Sequence, residues 1–394
     1  MKILLVNDTY YPNVDGSAYT THRLAIQLKK HGHEVLVIAP SRHGHSHYSE
    51  ENGVPSFRVW SIPILIVDYR FSLPFFAKKH VRKAIEKFNP NIIHIQGHFI
   101  LGRTAVKIAQ ELNIPIMGTN HFMPGNLSHF IPVPNWIRKK IENLAWLDFN
   151  SVFKKLAVVA SPTQSAANIL AGVNFPKEVH PVSNGIDLER FNPNNSPEAV
   201  RKKYNLPNKL ILMSVSRLDK DKRINIVLRA MPRILSQCDI QFVMVGKGVE
   251  KENLEKLAEK LGVRKNVTFA GFVPDEELPN IYAAADCFVL ACPYELQSLA
   301  TMEAMATGKP AVVVDALALP ELVHPDENGY LFPENNSRAL AEAVIRIMTD
   351  KELRKKMGEK SLEIIQEHDI DRSAGKYEYF YKESIEKTVY AKIV

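Results

Sequence analysis

Inside the apolar, alanine-rich stretch "CPYELQSLATMEAMATGKPAVVVDALALPELV", residues 292–323, two carboxylates stand eight positions apart, Glu295 and Glu303. Glu295 reads as part of the loop after the strand "DCFVLAC", and Glu303 as part of a helix that begins near Gln297. One carboxylate then sits at a strand end and the other roughly two turns along a helix. Carboxylates accept paired hydrogen bonds from vicinal hydroxyls; the plainer reading is a helix N-terminal charge and an unrelated second glutamate. Two cations, Arg217 and Lys222 in "SVSRLDKDKR", follow another strand. Each could give a charge-assisted hydrogen bond of about 1.5–3 kcal/mol to an anion, or simply be solvated. Gly16 in "VDGSA" precedes a helix, where a missing side chain lets backbone N–H groups approach a phosphate, although a turn glycine is as often structural. His121 in "MGTNHFMPGN" also follows a strand, His94 and His98 in "IIHIQGHFILG" are weaker candidates, and a lone histidine is more often structural. His43, His45 and His47 are spaced by two beside Ser and Gly, without carboxylate or cysteine support, which favours a solvated loop over a metal site.

The rest of the chain limits what these residues can serve. Its 394 residues, 45% hydrophobic and 24% charged, suit a globular protein of two or three domains. "MKILLVN" is too short an apolar run for a signal peptide, and "SIPILIV" is far below a membrane span. Three cysteines without a Cys-x-x-Cys pair argue against a disulfide framework or a zinc site. The expected compartment is the cytoplasm. Residues 1–150 hold 17 Lys and Arg against 10 Asp and Glu, whereas residues 151–394 hold 33 of each. The basic excess thus falls wholly in the N-terminal part and suggests an acidic partner, a membrane surface or a nucleic acid.

Strand and helix patterns alternate along the chain. "KILLVN", "HEVLVIAP", "NIIHIQ", "IPIMGTN" and "KLAVVASP" read as buried parallel strands separated by helical stretches, one of them from Trp136 to about Leu156. After the polar "NPNNSPEAVRKKYNLPN" the alternation restarts with "KLILMSVSR", "IQFVMVG", "NVTFAGF", "DCFVLAC" and "KPAVVVD". Two α/β, Rossmann-like doubly wound parallel-sheet domains are expected, with the ligand in a cleft between them at the carboxyl ends of the strands. Their expected bounds are residues 1–190 and 191–368, with a helical tail, 369–394, crossing back to the first. A dinucleotide fingerprint is missing after "KILLVN", and "VGKGVEKEN" offers Gly246 and Gly248 without a third glycine. "ATGKP" lacks a phosphate-binding loop, so the dehydrogenase and P-loop readings are weak.

In order, "YYPNVDGSAYTTHRLAIQLKKHGHEV", "NGID", "VSRLDKDK", "VGKG", "FAGFVPDEELPNIYAAAD" and the Glu-x7-Glu of "ELQSLATMEAMATGKPAVV" resemble the retaining glycosyltransferases of family 4, whose fold is called GT-B. The resemblance runs from Met1 to about His368. It implies a hexosyltransferase using a nucleotide diphosphate sugar, UDP- or GDP-linked, as donor substrate, with no cofactor. It places Arg217 and Lys222 on the diphosphate, where stabilising the departing charge is the largest catalytic contribution. It places Glu295 on hydroxyls of the transferred sugar and Glu303 on the ribose. The amides of Leu296, Gln297, Ser298 and Leu299 face sugar and phosphates, and Gly16 approaches a phosphate from the other domain. His121 lines the reaction centre, bonding sugar or acceptor. The family often reads Glu-Gly-Phe-Gly-Leu where this chain has "ELQSL", which leaves the donor sugar open. No metal-ligand set such as Asp-x-Asp in a suitable loop stands out, so metal independence is expected.

The acceptor rests on "FSLPFFAKKHVRKAIEKF". Ala77, Val81, Ile85 and Phe88 share one helical face, Lys78, Lys79, Arg82, Lys83 and Lys87 surround it, and Phe75 and Phe76 stand at its entrance. Such a helix can lie on anionic lipid, each basic residue adding about 1 kcal/mol, or be an ordinary packed surface helix. The N-terminal charge excess favours lipid, as does similarity to membrane-associated phosphatidylinositol mannosyltransferases and diacylglycerol glucosyltransferases. "NWIRKKIENLAWLDF", with Trp136 and Trp146, is a second candidate contact unless these tryptophans are core. The expectation is glycolipid synthesis by a peripheral enzyme on the inner face of the cell membrane. A soluble acceptor, such as a sugar phosphate or polysaccharide, is the alternative. Nucleic-acid binding would leave Glu295, Glu303, Arg217 and Lys222 unexplained.

Overall fold

A computed structural model describes residues 1–13, 15–63, 70–125 and 133–393, with side chains through residue 389. Most of the "SIPILIV" run, Val14 and Asn126 lie outside the described residues. The chain divides into two compact units, Met1–Gly185 with Ile370–Val394, and Ile186–Asp369.

Unit one contains β1 (Lys2–Val6), α1 (Gly16–Lys30), β2 (Glu34–Pro40), β3 (His47–Glu51), β4 (Val54–Val59), β5 (Ile62–Pro63) and β6 (Arg70–Phe71). It continues with α2 (Pro74–Phe88), β7 (Ile92–Ile95), α3 (Ile100–Leu112), β8 (Ile116–Thr119), α4 (Asn135–Phe153), β9 (Val158–Ser161), α5 (Gln164–Gly172) and β10 (His180–Pro181). The main sheet runs β10-β9-β8-β7-β1-β2-β4-β3. Alternation along β1 sends Leu4 and Val6 to one core, with α2, α3 and α4, and Ile3 and Leu5 to the other. A parallel strand covered by helices on both faces must be apolar throughout, as "KILLV" is.

The edge departs from the all-parallel expectation, because β3 pairs with β4 antiparallel. Asn52 and Gly53, both at positive φ, join them in a two-residue turn whose twist matches the strands. The Asn-Gly dipeptide is the sequence signal for this turn, which the all-parallel expectation leaves out.

Unit two carries α6 (Glu198–Lys203), β11 (Leu210–Val215), α7 (Ile224–Leu235), β12 (Ile240–Val245), α8 (Lys251–Lys260), β13 (Val267–Gly271), α9 (Leu278–Ala283) and β14 (Cys287–Leu290). There follow α10 (Leu299–Ala306), β15 (Ala311–Val314), β16 (Gly329–Phe332), α11 (Ser337–Thr349) and α12 (Lys351–Ile365). Its parallel sheet runs β13-β12-β11-β14-β15-β16. The order reverses beside β11, so β11 and β14 flank the switch point where open α/β sheets bind ligands.

The last helix, α13 (Ile370–Ile393), belongs to unit one. Ala374, Tyr377 and Tyr381 enter the same core as Ile3 and Leu5. Gln27 Nε2 donates to Asp371 at 2.8 Å, and His31 and His33 meet Glu378 at 2.6 and 2.9 Å. The chain thus leaves unit one after Gly185 and returns at Ile370, against bounds of 190 and 369 read from sequence.

Candidate functional site

In unit two the loops after β11 and β14 bring together the residues singled out by type. Lys222 Nζ lies 2.8 Å from Glu295 Oε1, 3.6 Å from Asp221 Oδ2 and 3.6 Å from Cys292 Sγ. Burial opposes the ammonium charge, but Glu295, Cys292 and Asp221 outweigh it and hold the Lys222 pKa above its ordinary value. Arg217 is half exposed; its guanidinium pairs with Asp219 and stands 3.7 Å from Asp221. Asp219 and Asp221 form an Asp-x-Asp pair that does not stand out in the sequence as a ligand set, and here they lie against the two cations. Among the described residues no group of three or more His, Cys, Asp or Glu is arranged to hold a metal ion.

The "VGKG" glycines have a local reason. Gly246 has φ of +136°, and a Cβ there would fall 1.9 Å from the Ser216 carbonyl oxygen; one on Gly248 would fall 2.3 Å from that of Leu218. Their bareness lets this turn lie against the Arg217 loop, with Leu218 N donating to Lys247 O at 2.9 Å. Arg223, also missed in the sequence, bridges Glu334 at 2.8 Å and the Tyr294 hydroxyl at 3.2 Å, steadying the loop that carries Glu295. A basic residue beside the chosen pair was the only signal for it.

Helix α10 starts at Leu299 rather than near Gln297, because the Ser298 hydroxyl caps it, accepting from Thr301 N at 3.2 Å. Leu299 is therefore the first helical residue, and Leu296, Gln297 and Ser298 form the turn before it. Ser298, which departs from the family wording, thus has a capping role. Glu303 is buried on α10, one turn before its end.

In unit one Gly16 opens α1, capped by Asp15, whose carboxylate accepts from Ala18 N at 2.9 Å. A Cβ on Gly16 would meet nothing within 4 Å, so packing within the described residues does not require glycine there. Asp8, not singled out beforehand, accepts from Leu101 N at 2.8 Å and Gly102 N at 3.4 Å at the start of α3. Burial outweighs those amides and raises its pKa to about 6. A carboxylate directly after a buried strand was its signal.

His121 Nε2 lies 2.7 Å from Gln96 Oε1, and burial lowers its pKa to about 4. His94 is fully buried between the Tyr381 hydroxyl and Thr119 Oγ1, each at 2.8 Å. His98 packs among Phe99, Phe122 and Phe149. His43, His45 and His47 stand together with ring centroids 4.9–6.3 Å apart, largely exposed.

Helix α2 buries Ala77, Val81, Ala84 and Ile85, and exposes Lys78, Lys79 and Lys83. Phe75 is 83% exposed, while Phe76 leans on Trp60 at 5.0 Å. Arg82 is tied to Glu111 on α3 and to Glu86 at 3.5 Å, so it helps pack α2 on α3 as well as facing solvent. On α4, in the same layer, Trp136, Leu144 and Leu147 are exposed, whereas Trp146 packs on Phe122 and Phe149. Among the described residues no helix is long and apolar enough to cross a membrane.

A model of Glycosyltransferase Family 4 matches residues 14–190, and one of Glycosyl transferases group 1 matches residues 196–363. The chain is 28% identical over 374 residues to the alpha-monoglucosyldiacylglycerol synthase of Streptococcus pneumoniae, covering 92% of this chain and 83% of that protein. It is 28% identical over 339 residues to a GDP-mannose-dependent alpha-mannosyltransferase of Corynebacterium glutamicum, covering 84% and 76%. Among solved structures, sucrose-phosphate synthase of Thermosynechococcus elongatus superimposes with a TM-score of 0.82 at 20% identity, covering 97% and 98%. The chain belongs to the family 4 glycosyltransferases of GT-B fold, which transfer a sugar from a nucleotide sugar.

Proposed function

We propose that this enzyme moves a hexose, with retention, from a UDP- or GDP-sugar to a lipid acceptor such as diacylglycerol or phosphatidylinositol, at the anionic inner face of the cell membrane. The observation that carries the donor half is the Lys222–Glu295 contact at the switch point of unit two. Lys222 and Arg217 take the diphosphate and balance the charge that grows as it departs. Glu295 receives hydroxyls of the transferred sugar and Glu303 those of the ribose. Backbone amides from Leu296 to Leu299, at and before the start of α10, face sugar and phosphates, and those near Gly16 lie open to a phosphate. His121 bonds a sugar or acceptor hydroxyl at the reaction centre, the departing phosphate helps deprotonate the acceptor, and no cofactor or metal takes part.

The lipid acceptor is supported by the exposed Phe75 beside Lys78, Lys79 and Lys83, with Phe76 partly exposed, on the layer that also shows Trp136. The name of the Streptococcus relative, a diacylglycerol glycolipid synthase, agrees with it. The test is a partition assay in which anionic liposomes containing diacylglycerol and phosphatidylinositol are mixed with the protein and a panel of labelled nucleotide sugars. Label is expected in the organic phase with one donor. Label that remains aqueous with every donor, while free sugar is released, would replace the lipid by a soluble acceptor.

A further inference from the structure

Beneath His121 runs a chain of buried polar groups that the reading above leaves unused. Tyr381 on α13 and Thr119 on β8 occupy Nδ1 and Nε2 of His94, each at 2.8 Å. Thr119 Oγ1 donates onward to the Tyr377 hydroxyl at 3.3 Å, so it accepts from His94 Nε2–H, and Tyr381 donates to His94 Nδ1. Burial keeps His94 neutral, its pKa lowered to about 3. The Gln96 amide nitrogen lies over the face of the His94 ring, 3.1 Å from Nε2 and 3.4 Å from Nδ1, so it competes with neither in-plane bond, and its oxygen lies 2.7 Å from His121 Nε2.

An amide oxygen accepts and never donates, so His121 must carry its proton on Nε2. A neutral ring with that proton fixed has a lone pair on Nδ1, and no described residue bonds that atom. We propose that Gln96 is a positioning residue that holds His121 as the Nε2–H tautomer, so that Nδ1 accepts a hydrogen bond from a hydroxyl of the sugar or acceptor, while Tyr377 and Tyr381 of α13 anchor the chain from behind through Thr119 and His94. The proposal rests on the reading of His121 as a reaction-centre residue. It makes the last helix part of the site's support. The titratable groups behind the ring are His94 on β7 and the two tyrosines on α13.

The test is ¹⁵N NMR of the full chain labelled at histidine, with His121 assigned by its loss in His121→Gln. The expected wild-type signature is a single Nε2–H tautomer. Gln96→Ala is expected to mix the tautomers, and Gln96→Glu to keep Nε2–H while raising the ring pKa from about 4 toward or beyond the ordinary histidine value. In a transfer assay Gln96→Ala should lower kcat about five- to tenfold, the size of one neutral hydrogen bond, with KM for the nucleotide sugar little changed. An Nδ1–H tautomer in the wild type, or a signature unmoved in Gln96→Ala, overturns the proposal. If His121→Ala is inactive while Gln96→Ala transfers at the wild-type rate, Gln96 alone loses its role. Wild-type transfer by His121→Ala removes the site assignment itself, and this inference with it.

Discussion

Lys222 Nζ lies 2.8 Å from Glu295 Oε1, joining the loop after β11 to the loop after β14 although 73 residues separate them. The side chains are 17% and 18% exposed, enough shelter to hold the pair in register and enough access for a ligand. The pairing holds the ammonium charged and in place; under the proposed diphosphate role that is electrostatic preorganisation. Lys222→Met is expected to lower kcat by about 10²–10³-fold. Circular dichroism should show the fold retained. A folded Lys222→Met protein that transfers sugar at the wild-type rate would remove the diphosphate assignment.

Glu303 is buried on a helix whose serine cap leaves its carboxylate one turn from the far end. If it receives the ribose, Glu303→Gln keeps the shape and halves the acceptor capacity. Affinity for the nucleoside diphosphate should fall about tenfold to a hundredfold, the range for hydrogen bonds to a charged group. Titration calorimetry with UDP and with GDP reads this directly, and unchanged affinity for both would move the ribose contact elsewhere.

On α2 the exposed Lys78, Lys79 and Phe75 differ from Arg82, which is tied to Glu111. Lys78→Glu with Lys79→Glu should weaken sedimentation with anionic vesicles more than a hundredfold at low salt, and Phe75→Ser should weaken it further at any salt. Arg82→Ala should lower the melting temperature as well, since it loosens α2 from α3. Equal vesicle binding by the triple variant and the wild type would make α2 an ordinary surface helix.

The attachment of α13 should depend on pH. Asp371, then burial and Glu378, act on His31, and the balance raises its pKa, while Glu378 and Asp371 have theirs lowered. A raised histidine pKa contributes stability that is full below the ordinary value near 6.5 and is lost as pH rises through the folded value. The lowered carboxylates contribute above their ordinary values near 4 and lose it in acid. The latch is therefore strongest between about pH 5 and 6.5. His31→Gln should lower the melting temperature most in that window and least above pH 8; a constant difference from pH 5 to pH 9 would contradict the ion pairing.

Gly246→Ala should be costly out of proportion to one methyl group. The new Cβ would meet backbone at 1.9 Å, and φ of +136° suits no L side chain. A loss of about 2 kcal/mol or more is expected, with nucleotide binding falling in parallel because the Arg217 loop shifts. Gly16→Ala, with nothing within 4 Å, should leave the melting temperature unchanged. Donor turnover should nonetheless fall if a phosphate approaches there.

Much of the fold and some of the candidate site are legible in the chain read alone, for physical reasons that are local. Runs such as "KILLV" and "KPAVVVD", short, rich in β-branched residues and bounded by polar or turn residues, read as strands covered on both faces, and their alternation with helices gives a doubly wound α/β pattern. The residue types at strand ends, Arg217, Lys222 and Glu295, were visible because that is where such sheets keep their ligands. The Asn52-Gly53 hairpin and the Ser298 cap also have local signals, a turn dipeptide and a serine just before a helix. Other features have no local signature. That Asp219 and Asp221 hold cations, that Arg82 packs one helix on another, that Gly246 and Gly248 serve the Arg217 loop, and that Tyr381 backs His94 from 287 residues away are consequences of packing. Sequence specifies what a side chain can bond; only the tertiary structure, by choosing which groups are buried together and must satisfy one another, decides what it does bond.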